Sequence, residues 1–437
     1  MASDFQSRRD FVKKSSLAAG IVLTNPLKSA AFTDGSDTIK IGLIGCGGRG
    51  TGAANQALSQ SIPAKVVAMA DAFGEKLQTS YDNLVELHGK EKVDVPKEHM
   101  FVGLDGYKEV IKLADVVFLA TPPGFRPLHF EEVVRQGKHG FVEKPVATDV
   151  AGVKKMMELG KQAEAKGLKV VVGHHLRFQK SLVETVERLH DGAIGDLTSM
   201  NSYFNSQGVW VRPRKPGMTE MEYQVWNWYY FNWLSGDHIV EQHVHNLDFI
   251  NWVKGMHPVK AQGMGGREVR TGKEYGQIYD HHYVEYEYPD GSILNSQCRH
   301  QPGTYQIWAD RVWGTKGYYE SKPGPQIATI YDSNRKELYR YHGKEDPSAR
   351  QVEQDVLMHK IYHDEPINQI QAGAESTMTA ILGRMATYSG HKVEWDQAMA
   401  SNEKIVPDTF NWEDTPPVVP DQEGSYPVPV PGETKVF

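Results

Sequence analysis

Cysteine is nearly missing from this chain: there are two, Cys46 and Cys298, among 437 residues. Neither their number nor their company supports a disulfide framework or a cysteine-ligated zinc site, so the fold must stand on its core. A basic excess is missing as well. Lys+Arg total 48 against 55 Asp+Glu, a formal net charge of −7. Without clustered positive charge to neutralise phosphates, nucleic acid is excluded as the expected partner. No run approaches the roughly twenty apolar residues that a stable membrane span needs. What is present is a globular composition, 40% hydrophobic and 24% charged, with a length that suits two domains sharing an interface. The end of the chain is different: Pro427-Val428-Pro429-Val430-Pro431 suits neither helix nor interior strand, and 401–437 is expected to run extended over the surface.

The first residues read as an address. Ser7-Arg8-Arg9-Asp10-Phe11-Val12-Lys13 is a basic stretch with paired arginines, followed by a weakly apolar run from Ser15 to Thr24 and small residues Ser29-Ala30-Ala31. Residues 1–31 resemble a twin-arginine export signal, which implies a periplasmic or otherwise exported protein that folds, and loads any cofactor, before export.

Next comes a dinucleotide-binding pattern, expected over 37–175. The apolar run Thr38 to Ile44 leads directly into Gly45-Cys46-Gly47-Gly48-Arg49-Gly50 and an Ala-rich helical stretch. Gly45 permits a tight turn, Gly47 a close backbone approach to a pyrophosphate, and Gly50 close packing of helix on strand, with the helix N-terminus facing the phosphates. A second strand, Ala64 to Ala70, ends in Asp71, where an acid bonds the ribose hydroxyls and repels a 2′-phosphate. NAD is therefore expected over NADP. The strand Asp115 to Ala120 runs into Thr121-Pro122-Pro123, a sharp turn at the carboxyl end of the sheet, and Gly140-Phe141-Val142 ends in Glu143-Lys144-Pro145.

This combination resembles the Gfo/Idh/MocA oxidoreductase family. The likeness continues through His174-His175-Leu176-Arg177-Phe178, Gly192 to Gly195 and Val312 to Gly317. It implies an α/β Rossmann domain with a parallel sheet, followed over 176–400 by an α+β domain on a large, mainly antiparallel, open-faced sheet. That second domain would carry substrate and oligomer contacts, with a dimer or tetramer expected. The resemblance implies that Gly45, Gly47, Gly48, Arg49, Gly50, Asp71, Thr121, Pro122, Glu143 and Lys144 surround the cofactor. Lys144 would stand beside both nicotinamide and substrate hydroxyl as proton relay.

The rest of the site is expected in Gly236 to Asp248. If this segment is one helix, His238, Glu241, His245 and Asp248 fall at i, i+3, i+7 and i+10 and share a face. By resemblance His245 is the catalytic histidine and Asp248 its downstream acid, while Glu241 stands where the family usually has Asp, still able to orient an imidazole. His238, Glu241 and His245 would also suit a divalent ion. The acid–base reading already accounts for Glu241 and His245, so no metal is expected. Arg177, His238, His243, Trp226 and Arg299 are expected to contact substrate. The aromatic stretch from Trp210 to Trp233 reads equally as buried core or as a stacking platform for sugar rings.

Three functions compete. The first is an exported NAD-dependent dehydrogenase acting on a secondary hydroxyl of a sugar, glycoside or polyol. The second is a redox-neutral enzyme in which tightly bound NAD takes and returns a hydride, giving epimerisation, glycoside cleavage or sugar–sugar oxidoreduction. The third is a sensor without catalysis, disfavoured by Lys144 and His245.

Overall fold

The computed structural model describes residues 38–321, 327–343 and 345–437. The twin-arginine segment lies outside the described residues. Six strands, β1 (Ile39–Ile44), β2 (Ala64–Asp71), β3 (Met100–Val102), β4 (Val116–Leu119), β5 (His139–Val142) and β6 (Val170–Val172), form one sheet in the order β3-β2-β1-β4-β5-β6. Every pairing in it is parallel. The apolar sequence of β4, and of β1 apart from Lys40, follows from burial on both faces, since helices cover each side of a parallel sheet. The chain winds outward from β1 to β3 and returns to β4 beside β1, so the strand order reverses there and opens a crevice at the carboxyl ends.

The second sheet has nine strands. These are β7 (Leu197–Ser206), β8 (Lys260–Gly266), β9 (His281–Glu287), β10 (Ile293–His300), β11 (Ile307–Gly314), β12 (Gly317–Ser321), β13 (Ala328–Asp332), β14 (Glu337–Arg340) and β15 (Val393–Glu394), ordered β14-β13-β12-β11-β7-β10-β9-β8-β15. β7 and β10 run parallel and their neighbours antiparallel. The period-two alternation of β10 buries Leu294, Ser296, Cys298 and His300 on the inner face, against the helices Val244–Lys254 and Ile370–Ser389, and leaves Asn295, Gln297 and Arg299 on the outer one. Met378, Ile381, Leu382 and Met385 are core residues, as their helical spacing predicts.

Two features extend the expected division of the chain. The helix Ala349–Tyr362, which follows the second sheet in sequence, packs on the helix Gly48–Ser59; its Leu357, Met358 and Ile361 join Ile39, Leu43 and Ala53 in one core. Residues 401–437 hold no helix or strand, yet they are a clamp rather than a loose tail. The Asp149 carboxylate accepts from the Ile405 and Val406 N–H groups at 2.9 and 3.0 Å, Phe410 packs on Phe125 and Trp233, and Tyr426 donates to Glu220.

The single helix expected over 237–248 is not formed. A short turn, His238–Glu241, is separated from Val244–Lys254 by a break at Gln242 and His243. There the backbone bonds change span, with His243 N–H reaching the His238 carbonyl and His245 N–H that of Gln242. The single face expected to carry His238, Glu241, His245 and Asp248 together is therefore not formed.

Candidate active site

Gly45 adopts φ +94, and a Cβ there would stand 2.6 Å from the backbone of Ala120 and Thr121. A Cβ on Gly50 would stand 2.0 Å from the Gly45 carbonyl, so both glycines are demanded by the turn itself. Gly47 and Gly48 are different: nothing lies within 4 Å of a Cβ on either, and both border a cavity of about 310 Å³. The sterics thus divide the motif into two residues that make the turn and two that leave room over the helix N-terminus, a fit for a pyrophosphate.

That cavity is also lined by Asp71, Thr121 and Pro122. The Asp71 carboxylate accepts the Cys46 and Phe73 N–H groups at 2.8 and 2.9 Å, which fixes it at the end of β2. The second domain closes the cavity with Trp210, Arg212, Val225 and Trp228. Arg212 lies between two indoles, 3.9 Å from the Trp210 ring centre and 5.1 Å from that of Trp226, and donates to the Trp226 carbonyl at 2.8 Å. Lys76 faces the same indole, and burial together with Arg212 brings its ammonium down to about 8. The aromatic stretch is thus neither wholly core nor a platform on the second sheet: Tyr230, Phe231 and Trp233 are buried, while Trp210 and Trp228 cover the dinucleotide cleft. Trp226, expected at the substrate, packs on Phe73 beside that cleft.

A second cavity of about 340 Å³ adjoins the first and shares Arg49, Ala120, Thr121 and Trp228 with it. Lys144, Glu241 and His245 meet here, with Glu143, His175, Phe204, Gln242 and Trp308 around them. Lys144 Nζ donates to Glu241 Oε1 at 2.9 Å and also to the Glu241 carbonyl. Glu241 orients the lysine, where the sequence pointed to the imidazole. His245 Nδ1 has no partner, and the ring stands edge-on to His175 with centres 4.6 Å apart. Burial, His175 and Lys144 push the His245 imidazole well below the ordinary histidine range, so it is a neutral base at physiological pH.

Beneath these groups lies a charge relay of two acids and an arginine. Arg49 donates to both Glu143 and Glu353. Burial works against ionising Glu143, but Arg49, Lys144 and Arg126 outweigh it and hold the carboxyl below its usual range. Burial pushes Glu353 up to about 8, with Arg49 opposing and Glu143 adding. Arg126, itself buried, donates to the carbonyls of Thr121 and Pro145 and so ties the turn after β4 to the segment carrying Lys144. Sequence reasoning missed Glu353, Arg126, Phe204 and Trp308. The first lies on the helix that crosses back between domains, and no local pattern marks it.

Four expected substrate contacts are corrected. Arg177 is held in a bidentate pair with buried Asp248, its Nε and Nη2 each 2.9 Å from the carboxylate, with Ser376 completing the cage. Asp248 is therefore taken by the arginine and does not join Glu241. His243 is fully buried against Ser296 at 2.6 Å, and His238 points into the sheet beside His282 and His300. The helix break turns both away from Lys144. Arg299 lies on the outer face of β10, because it is odd in register to inward His300, and donates to the Tyr305 carbonyl at 2.8 Å.

The Oxidoreductase family, NAD-binding Rossmann fold model of GFO_IDH_MocA matches residues 39–174, and the GFO/IDH/MocA C-terminal domain model matches 183–320, together more than half of the chain. Among curated proteins, 2,7-anhydro-N-acetylneuraminate hydratase of Escherichia coli (strain K12) is 27% identical over 212 residues, 47% of this chain and 51% of that one. A glycosyl hydrolase family 109 protein of Streptomyces coelicolor is 25% identical over 166 residues, 37% of this chain and 33% of that one. The chain spans about half the length or less of these relatives. Among solved structures, aldose-aldose oxidoreductase from Caulobacter crescentus superposes with a TM-score of 0.65 at 19% identity, covering 82% of this chain and 99% of that one. Levoglucosan dehydrogenase in complex with NADH and levoglucosan gives 0.66 at 14%, covering 82% and 100%. At such identities these likenesses speak for the fold. With a six-stranded parallel sheet, a glycine turn open to a pyrophosphate and a second domain closing the cleft, the chain belongs to the Gfo/Idh/MocA family of NAD-binding oxidoreductases.

Proposed function

We propose that this protein transfers a hydride from a secondary hydroxyl of a sugar, glycoside or polyol to tightly bound NAD, and that a second, carbonyl-bearing substrate takes the hydride back before the next turnover. The observation that carries the reading is the meeting of Lys144, Glu241 and neutral His245 in a cavity continuous with the dinucleotide cleft. NAD, when bound, supplies the hydride acceptor. The chain supplies the proton chemistry: the His245 imidazole takes the hydroxyl proton, and Lys144, steered by Glu241, donates to the oxygen and favours its developing negative charge. Phe204 and Trp308, whose rings lie 5.6 Å apart on the inner face of the second sheet, offer an apolar wall for the C–H face of a sugar ring.

The covered cleft favours a redox-neutral variant of the same chemistry, in which the hydride returns to the substrate-derived ketone. A cofactor roofed by Trp210, Arg212 and Trp228 exchanges slowly, and relatives named as a hydratase, a glycosyl hydrolase and an aldose-aldose oxidoreductase support such a cycle. An export route fits this, since a twin-arginine pathway would carry a folded, loaded enzyme to a compartment without a nicotinamide pool. A fusion of residues 1–31 to a reporter, exported or retained, tests that part. The half-exposed outer face of the second sheet suits a dimer or tetramer, to be read from solution mass.

The test of the activity is a panel of sugars and glycosides added to protein purified without cofactor, with the nicotinamide absorbance followed in the intact enzyme. A signal that saturates near one per chain supports the captive cycle. Continuous reduction of added NAD supports a plain dehydrogenase, and no signal with any member opposes both.

A further inference from the structure

Away from the cleft, behind the helix break, three side chains converge in the interior. Asp237 Oδ1 stands 3.4 Å from His282 Nε2 and 3.9 Å from His238 Nε2. Among the described residues this is the trio of ligand-bearing side chains whose ligand atoms all fall within 4.8 Å of one another. All three are enclosed, with exposures of 0%, 1% and 3% for Asp237, His238 and His282.

Polar atoms are left without partners here. Neither ring nitrogen of His238 has a hydrogen bond, nor does His282 Nε2. Leaving a buried polar atom so is costly, and native interiors seldom tolerate several together. His282 Nδ1 is 2.9 Å from Thr387 Oγ1, and that hydroxyl also lies 3.0 Å from the Gly383 carbonyl within its own helix. With the hydroxyl proton on the carbonyl, Nδ1 carries the ring proton and Nε2 turns a bare lone pair toward the Asp237 carboxylate. In that tautomer two electron-rich atoms face each other across a gap that a bound cation relieves.

Asp237 is itself held at φ +73, a conformation non-glycine residues seldom adopt. Its Oδ2 accepts from Tyr388 at 2.6 Å and from the Tyr279 N–H at 2.9 Å, and its Oδ1 accepts the His238 backbone N–H, so the carboxylate is fixed with Oδ1 toward the two imidazoles.

We propose that Asp237, His238 and His282 bind one divalent transition-metal ion of the zinc class. Two imidazoles and one carboxylate are a common donor set for such ions, and the 3.4 Å between Asp237 Oδ1 and His282 Nε2 suits neighbouring ligands of a tetrahedral ion with bonds of about 2.0–2.1 Å. His300, stacked on His238 with ring centres 4.4 Å apart and an unpartnered Nδ1, adjoins the set. The donors differ from the helical face read from sequence: of that face only His238 takes part, and Glu241 and His245 belong to the cleft. The ion's role is positional. It ties the short turn His238–Glu241 to β9, and that turn carries the Glu241 that holds Lys144.

The test uses untagged full-length protein. Elemental analysis after purification without chelator, and again after chelation and repletion with zinc alone, is expected to give about one ion per chain. Replacement by cobalt(II) is expected to produce the intense visible bands of a low-coordinate site. His238→Gln and His282→Gln are expected to lose the ion, while His281→Gln, on the outer face of the same strand, retains it. If the first two variants fail to fold, metal content and the cobalt spectrum of the unmodified chain decide. A chain that neither carries nor takes up an ion, with a melting temperature indifferent to zinc and chelator, overturns the proposal and leaves a proton between His282 and Asp237. Loss of the ion in Glu241→Gln but not in His282→Gln overturns it too, by moving the ion to the cleft.

Discussion

Lys144 and Glu241, 97 residues apart, meet twice: the ammonium donates at 2.9 Å to Glu241 Oε1 and also to the Glu241 main-chain carbonyl. The side-chain contact requires the carboxylate, while the main-chain one depends only on the turn that carries it. Glu241→Gln is therefore expected to keep the lysine near its place but lower kcat by about tenfold or more, as the ion pair becomes a neutral hydrogen bond. Glu241→Asp, one methylene shorter, should fall between wild type and Gln. Steady-state kinetics on the same substrate checks the order, and Gln turning over faster than Asp would contradict it.

Lys144→Met and His245→Ala are expected each to reduce kcat by roughly 10² or more, because each removes one half of the proton handling. Neither residue belongs to the roofed dinucleotide cavity, so NAD content after denaturation should match wild type. Unchanged turnover in both would remove the site from the cleft.

The roof predicts a cofactor phenotype without a chemical one. Arg212→Ala removes the guanidinium held between Trp210 and Trp226, a stacked cation worth about 0.5–2 kcal/mol. NAD release, followed by dilution into a trap, should quicken by about tenfold in Arg212→Ala and in Trp210→Ala. Release at the wild-type rate in both would assign the roof to folding alone.

Glu353 gives a pH signature. Its carboxyl titrates at about 8 in the folded chain, chiefly through burial, whereas an unfolded glutamate titrates near 4.3. The folded state thus holds a proton that the unfolded state releases across this interval. The stabilisation is complete below about 4.3 and is lost as pH rises through about 8. Between about pH 4.3 and 8 the melting temperature of wild type should therefore lose ground relative to that of Glu353→Gln, with no further relative change above about 8. Parallel profiles would contradict the assignment.

The glycine turn separates folding from binding. Gly50→Ala places a methyl 2.0 Å from the Gly45 carbonyl and should destabilise the whole first sheet, seen as a lowered melting temperature. Gly47→Ala meets no protein atom within 4 Å and should leave melting of the NAD-free chain nearly unchanged while weakening NAD binding. Equal melting losses in both would remove the distinction.

The parts legible in the sequence were those fixed by local order. Parallel strands buried on both faces read as apolar runs, and the turn glycines stand next to the strand they end. The β9–β10 hairpin announced itself through Pro289-Asp290-Gly291 between alternating segments. What could not be read depended on distant partners. Helical spacing across 237–248 assumed one continuous helix, and the break at Gln242 sent His238 and His245 to different chambers. Arg177 looked like a substrate contact until Asp248 came within reach from another helix. Glu353 reaches Arg49 across 304 residues, a distance at which no motif signals a contact.

The most direct test of the central claim is the nicotinamide spectrum of protein purified without added cofactor, recorded before and after a sugar panel. NAD is expected to be released only on denaturation, and the reduced-nicotinamide signal to saturate near one per chain, rising more slowly in Lys144→Met by roughly 10²-fold or more. Protein that arrives empty and reduces added NAD over many turnovers would contradict the captive cofactor. Retained NAD that no sugar, glycoside or polyol reduces would contradict the proposed chemistry itself.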